Sequence, residues 1–262
     1  MQKYRQLTDN LSQAFQRCET ITVLSSDLPS SLDEAEAIQD AVISGLGPIA
    51  AWKLGATQAS GLVKTGLPRF FFGALPADRV TRGGGTVAGT WHATVGVECE
   101  YAFRFDRDIT PGSVVDIDIV KAAIGGVHPA FEIPATRYDG ALGCHGGLAN
   151  VADDGLSGWL VVGAACASGS LERFADSAVR LTVDGKVVAE GTAATRIDGF
   201  PYELLTDFVE LALARGHTIA KGHFVVPGSC TGRTMVPLGA AIVGDFAELG
   251  SVEAVFRASE GK

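Results

Sequence analysis

The 262-residue sequence predicts an α+β protein, with a small helical N-terminal part over residues 1–50 and a β-rich body over residues 51–262. Three observations carry this expectation. Apolar residues recur at helical spacing early in the chain, from Tyr4 to Ser44. After residue 50 the texture changes to short apolar runs broken by glycine. Finally, 33 glycines and 10 prolines indicate many tight turns rather than long helices, and 47% hydrophobic residues suffice for a proper core.

Taken in order, Tyr4, Leu7, Leu11, Ala14 and Phe15 share one helical face, predicting a helix that ends near Cys18. Ser31 and Glu34 form a capping-box pattern, in which hydroxyl and carboxylate satisfy each other's backbone donors, and open a helix to about Ser44. Gly45 and Gly47 stop it. These helices offer too little core to stand alone and are expected to pack on the larger body.

That body begins with A-W-K-L-G-A-T (51–57), where Lys53 stands in an apolar setting. It either projects outward with its stem along apolar surface or faces inward toward an anion. L-P-R-F-F-F-G-A-L (67–75) reads as core or as the wall of an apolar pocket. T-R-G-G-G-T (81–86) lacks the lysine and spacing of a phosphate loop and predicts a turn.

G-V-E-C-E-Y-A-F-R-F (96–105) is a run of strand formers. Side chains alternate faces in a strand, so Glu98 and Glu100 share one face with Ala102, while Val97, Cys99, Tyr101, Phe103 and Phe105 line the other. V-V-D-I-D-I-V (114–120) alternates as a further strand. In L-T-V-D-G-K-V-V-A-E-G (181–191), Asp184-Gly185 suits the two-residue turn of a hairpin. Pro201 opens a helix whose apolar stripe includes Leu204, Leu205, Phe208 and Leu211, and Gly216 closes it. Short strands fill the remainder.

Several function classes are excluded or disfavoured. The net charge of -9 with no basic run leaves no electrostatic footprint for nucleic acid or an anionic membrane. The start lacks a signal peptide's apolar core, and no apolar run approaches the roughly 20 residues of a membrane span. Five cysteines without C-x-x-C indicate reduced thiols, and a cytoplasmic protein is expected. Cys144 and His145 are neighbours in sequence, which does not make a catalytic dyad. His92, His128, His145, His217 and His223 show no zinc spacing.

Glu132 lies between Phe131 and Ile133 and is flanked by Pro129 and Pro134, where a lone buried carboxylate is costly. Two readings stay open: an ion pair with Arg137, or metal ligation. The E-x-E likewise reads either as a solvated strand face or as paired ligands. Glu98, Glu100 and Glu132, with no soft ligand, suit a hard octahedral cation such as Mg²⁺ or Mn²⁺. Such a cation keeps positions for water and for a chelating 2-oxo acid.

Five segments together resemble the fumarylacetoacetate hydrolase superfamily, in its 2-keto-4-pentenoate hydratase and 4-oxalocrotonate decarboxylase branch. They are W-K-L-G-A-T (52–57), F-F-G-A-L (71–75), V-E-C-E-Y-A-F (97–103), H-P-A-F-E-I-P-A-T-R-Y (128–138) and G-D-F-A-E-L-G-S-V-E-A-V-F (244–256). The resemblance implies a mixed β-roll body and metal ligation by Glu98, Glu100 and Glu132. It implies that Lys53 acts at the substrate site, neutralising a carboxylate or transferring a proton. Substrate contacts are implied for Phe72, Gly73, Arg137, Ser229 and Thr231. The implied activity is a metal-dependent lyase, hydratase or decarboxylase, acting on a small 2-oxo or 2-hydroxydienoate acid from aromatic-ring cleavage, in a homo-oligomer. Position 71 is Phe where the hydratases carry an acid, and His223 follows Gly222 where Gly-Asp is usual. The alternatives are a C–C hydrolase of acylpyruvates and an inactive binding protein.

Overall fold

The computed structural model describes residues 2–89, 94–165, 176–192 and 201–258; His92 and Cys166 lie outside them. Its helices are α1 (Arg5–Arg17), α2 (Leu32–Ser44), α3 (Ala59–Thr65), α4 (Ile117–Ala123), α5 (Gly147–Ala152) and α6 (Pro201–Ala214). Its strands are β1 (Ile49–Gly55), β2 (Phe71–Pro76), β3 (Val80–Arg82), β4 (Gly85–Gly89), β5 (Thr94–Phe105), β6 (Ile124–Ile133), β7 (Trp159–Val162), β8 (Val179–Val183), β9 (Lys186–Gly191), β10 (Phe224–Val226), β11 (Thr234–Pro237), β12 (Ala241–Asp245) and β13 (Ser251–Ala258).

The N-terminal helices follow the sequence pattern. α1 stops where Cys18 takes the left-handed conformation at φ 55°. At α2, Ser31 Oγ accepts from the Glu34 amide at 3.2 Å, and the Glu34 carboxylate reaches past Ser31 to the Ser30 amide at 2.8 Å. The box therefore closes one residue earlier than its usual form. Tyr4, Leu7, Leu11 and Ile38 from these helices share an apolar cluster with Phe71, Tyr138 and Ala149 of the body.

The body is a mixed β-roll, as expected. One sheet runs β2-β1-β10-β5-β6-β7-β3, with β11 pairing the start of β5; the other runs β4-β13-β12-β8-β9. The pairs β1–β10, β3–β7 and β4–β13 are parallel and the rest antiparallel. Between β8 and β9, Asp184 (φ 47°) and Gly185 (φ 78°) supply the two positive φ angles of the expected hairpin turn. The odd-numbered face of β5, from Val97 to Phe105, enters the main core with Trp52, Phe131, Phe208 and Phe246.

One expectation is corrected. Residues 114–120 do not form a strand: from Ile117 they are helix α4. Asp116 Oδ1 accepts from the Ile119 amide at 2.8 Å, an N-cap that outweighs a short apolar alternation, and the helix buries Val120 and Ala123. The short helices α3 and α5 were not legible in the sequence, because six or seven residues hold too little periodicity.

The strand order positions the site. β10 pairs β5 at Phe103 and Arg104, β11 pairs it from Thr94 to Val97, and the chain between them arches across β5 at Glu98 to Ala102. This arch is pinned by the Cys230 amide donating to the Cys99 carbonyl at 2.8 Å. β1 lies beside β10 with Lys53 in register with Val226. β6 lies on the other side, with Glu98 opposite Glu132 and Glu100 opposite Ala130.

Candidate metal centre

These pairings bring Glu98, Glu100 and Glu132 together, with one carboxylate oxygen from each within 4.8 Å of the others. Glu132 is 1% exposed and Glu100 2%, so the solvated-face reading of the E-x-E does not hold; Glu98 is half-buried at the cleft surface. Both Glu132 oxygens lack a hydrogen-bond donor. Glu100 accepts one bond, from the Gly228 amide at 2.8 Å. Lys53 faces inward, 6% exposed, with Nζ 3.6 Å from Glu132 Oε1, an ion pair too long for a hydrogen bond.

Three carboxylates against one ammonium leave the cluster short of positive charge. Burial pushes all three carboxyls up. For Glu100, burial and then the charges of Glu132 and Glu98 carry it well above the usual range. For Glu132, burial raises it to about 7 against the opposing pull of Lys53. A buried, all-oxygen, hydrogen-bond-poor anionic set fits a hard divalent cation, which would hold all three in the charged form. Glu98, Glu100 and Glu132 are the residues that would hold it.

The cleft above the cluster has a volume of about 320 Å³, and its lining includes Lys53, Phe71, Glu98, Gly228 and Ser229. Phe71 rather than Phe72 faces it. The Phe71 ring centroid is 5.8 Å from Lys53 Nζ, and the ring occupies space that a side chain at Gly55 would fill. A larger recess of about 940 Å³ lies around Arg79, Arg137 and Trp159. It is away from the carboxylate cluster, and Arg79 there is bonded to the Phe15 carbonyl at 2.9 Å.

The residues expected at the substrate divide. Ser229 lines the cleft with a buried hydroxyl that has no partner. Thr231 is tied to backbone, accepting from the Cys99 amide at 3.4 Å and donating to the Gly232 carbonyl at 3.2 Å. Phe72 is core, packed on Trp52 and Phe208 at ring distances of 5.7 and 5.5 Å. Gly73 is a packing glycine: a Cβ there would come within 2.1 Å of the Asp154 carbonyl oxygen. Arg137 does not pair with Glu132. Its guanidinium is engaged by the Asp153 carboxylate, the Asp153 carbonyl and the Ser157 carbonyl. His223 Nδ1 accepts from Trp52 Nε1 and from the Ala220 amide, each at 3.1 Å, which is a packing role. Cys144 and His145 form no dyad: the Cys144 thiol donates to the Asp139 carbonyl at 3.8 Å, and the His145 ring packs on Tyr138.

Sequence reasoning missed Asp154. It is fully buried against β2, with Oδ1 accepting from the Ala74 amide at 2.9 Å and Oδ2 without a partner. Burial raises it to about 7, opposed by Arg137, the Ala74 bond and Lys53. The only signal was two adjacent acids before a glycine, which reads as an ordinary turn.

No protein-family model and no curated protein matches the sequence. Solved structures do. The 4-oxalocrotonate decarboxylase from Pseudomonas putida G7, complexed with magnesium and adipate, is similar at a TM-score of 0.82 and 24% identity over 96% of each chain. Its complex with calcium and acetate gives 0.80. Yeast ynq8, a fumarylacetoacetate hydrolase family protein, gives 0.57 at 12% identity, over 82% of this chain and 95% of that one. The 2-hydroxyhepta-2,4-diene-1,7-dioate isomerase from Mycobacterium marinum gives 0.56 at 14% identity, over 82% and 78%. The chain thus has the fold of 4-oxalocrotonate decarboxylase and of the fumarylacetoacetate hydrolase proteins.

Proposed function

We propose that this chain is a divalent-metal-dependent lyase of the fumarylacetoacetate hydrolase superfamily, acting on a small 2-oxo or 2-hydroxydienoate acid, with Mg²⁺ or Mn²⁺ held by Glu98, Glu100 and Glu132. The observation that carries it is the buried three-carboxylate cluster facing Lys53 at the floor of a cleft. The likeness to a magnesium-bound decarboxylase over nearly the whole chain supports the same reading.

A cation bound there supplies Lewis-acid stabilisation of the negative charge that develops on a 2-oxo group. The protein's own groups do the rest. Lys53 is suited to neutralise a substrate carboxylate and to carry a proton at Nζ. Ser229 has a free hydroxyl to orient the substrate. Phe71 offers an apolar wall where water addition would call for an acid, and this favours decarboxylase over hydratase.

Incubation with Mg²⁺ and 4-oxalocrotonate, 2-hydroxypentadienoate or acylpyruvates tests the assignment. CO₂ release from the first is expected. Hydration of the second would make it a hydratase, and C–C cleavage of the third a hydrolase. Inactivity on all three would refute the reaction class.

A further inference from the structure

The recess around Arg79, at about 940 Å³, is larger than the cleft, and its lining includes neither the three carboxylates nor Lys53. The two linings share only Pro134 and Leu142. Much of the recess wall is apolar, with Phe15, Pro134, Leu142, Trp159 and Met235 among its side chains. The volume is in the range of pockets for small organic molecules.

Arg79 is the unmatched charge of this recess. Its side chain is buried, 9% exposed, and no carboxylate among the described residues pairs with it. The guanidinium carbon lies 4.4 Å from the Trp159 ring centroid and 5.1 Å from that of Phe15, so the group is held against two aromatic rings. Nη2 is taken up by the end of α1, donating to the Phe15 carbonyl and to Cys18 Sγ, each at 2.9 Å. Nε and Nη1 donate to nothing among the described residues.

The carbonyls that end a helix carry about half a negative charge, so α1 offsets only part of this cation. Buried arginines are ordinarily paired. Arg137, 5.2 Å from the same Phe15 ring, shows the contrast: each of its guanidinium nitrogens has an acceptor, and Asp153 balances its charge. The two acids in the lining, Glu19 and Asp139, are exposed, and the hydroxyls of Thr20 and Thr22 hold the Asp139 carboxylate. They oppose a dianion more than a monoanion, which favours a single carboxylate as the partner of Arg79.

We infer that the recess is a second ligand site, taking a carboxylic acid with one negative charge and an apolar body. The carboxylate accepts from Arg79, and the body lies along Pro134, Leu142 and Met235. The inference rests on neither the carboxylate cluster nor Lys53, and it stands apart from the metal-dependent reading.

Calorimetry with 2-naphthoate and its neutral counterpart 2-naphthamide tests it, with EDTA present so that chelation by Glu98, Glu100 and Glu132 plays no part. The acid should bind about tenfold more tightly than the amide, or by 1.4 kcal/mol. Arg79→Gln should lose that preference by weakening only the acid, and Lys53→Met should keep it. Location is read separately in wild-type protein carrying ¹³C-methyl methionine, because Met1 and Met235 are its two methionines and Met235 lines the recess. The Met235 signal should shift and saturate with the bound acid, and this readout decides alone if Arg79→Gln does not fold. Equal binding of acid and amide, an unmoved Met235 signal, or a preference lost in Lys53→Met and kept in Arg79→Gln would overturn the inference. So would failure of the acid to bind together with an oligomer that dissociates in Arg79→Gln, since a second copy of the chain would then supply the carboxylate.

Discussion

Two buried charge clusters, one around Arg137 and Asp153 and one around Glu132 and Lys53, differ in one respect. Around Arg137, each charge is met: Asp153 accepts from the Thr136 hydroxyl at 2.7 Å and the Arg137 amide at 2.9 Å as well as from the guanidinium, whose other nitrogens donate to carbonyls. Around Glu132 the charges are not met. Its two oxygens have no donor, Lys53 stands off at 3.6 Å, and two further carboxylates crowd in. A satisfied network in a low-dielectric interior holds a fold together; a set of like charges short of donors is complementary to something outside the protein. The first cluster is therefore structural and the second is the candidate site.

The sharpest way to break this comparison is Arg137→Met. It strands the Asp153 carboxylate without its cation, and a loss of about 3–5 kcal/mol in chemical denaturation is expected. A loss below about 1 kcal/mol, the range of an ordinary surface pair, would show the network to be dispensable. Lys53→Met is expected to act in the opposite way. Turnover should fall by about 10²–10⁴-fold, as for loss of a proton-transfer group. Mg²⁺ affinity should not fall, because a competing cation has been removed. Weakened Mg²⁺ binding in that variant would assign Lys53 to holding the cluster rather than to chemistry.

Asp154 stands between the two extremes, with one oxygen satisfied and one not. Its carboxyl is raised from 3.8 to about 7. The folded protein thus keeps a proton that the unfolded chain releases as pH rises through this window. Stability from this group is fully present below pH 3.8 and is lost as pH climbs to about 7. In melting curves from pH 5 to 7.5, Asp154→Asn should show a shallower decline than the wild type, because its amide oxygen can still accept from Ala74. Parallel curves would mean that Asp154 does not titrate in this range.

The sequence and the structure agree where local chemistry decides. The period of two put Glu98 and Glu100 on one face of β5, and the apolar neighbours of Glu132 marked a buried charge needing a partner, while those of Lys53 left open whether it projects outward or inward. Which partners they find depends on strand order. Arg137 is five residues from Glu132 in sequence but belongs to Asp153, which arrives from the far end of α5. Asp154 is set against β2 by three successive left-handed residues, Asp154 (φ 48°), Gly155 (φ 59°) and Leu156 (φ 60°), and no local pattern announces that. In residues 114–120, a cap at Asp116 outcompeted alternation, since the two signals overlapped within one turn of chain.

The central claim, that the hydrogen-bond-poor carboxylates exist to bind a cation, is tested most directly by titrating Mg²⁺ into the purified protein by calorimetry. The wild type should bind Mg²⁺ at a single site, and Glu98→Ala and Glu132→Gln should abolish that binding while circular dichroism shows the fold retained. An unaltered titration in either variant would contradict the account.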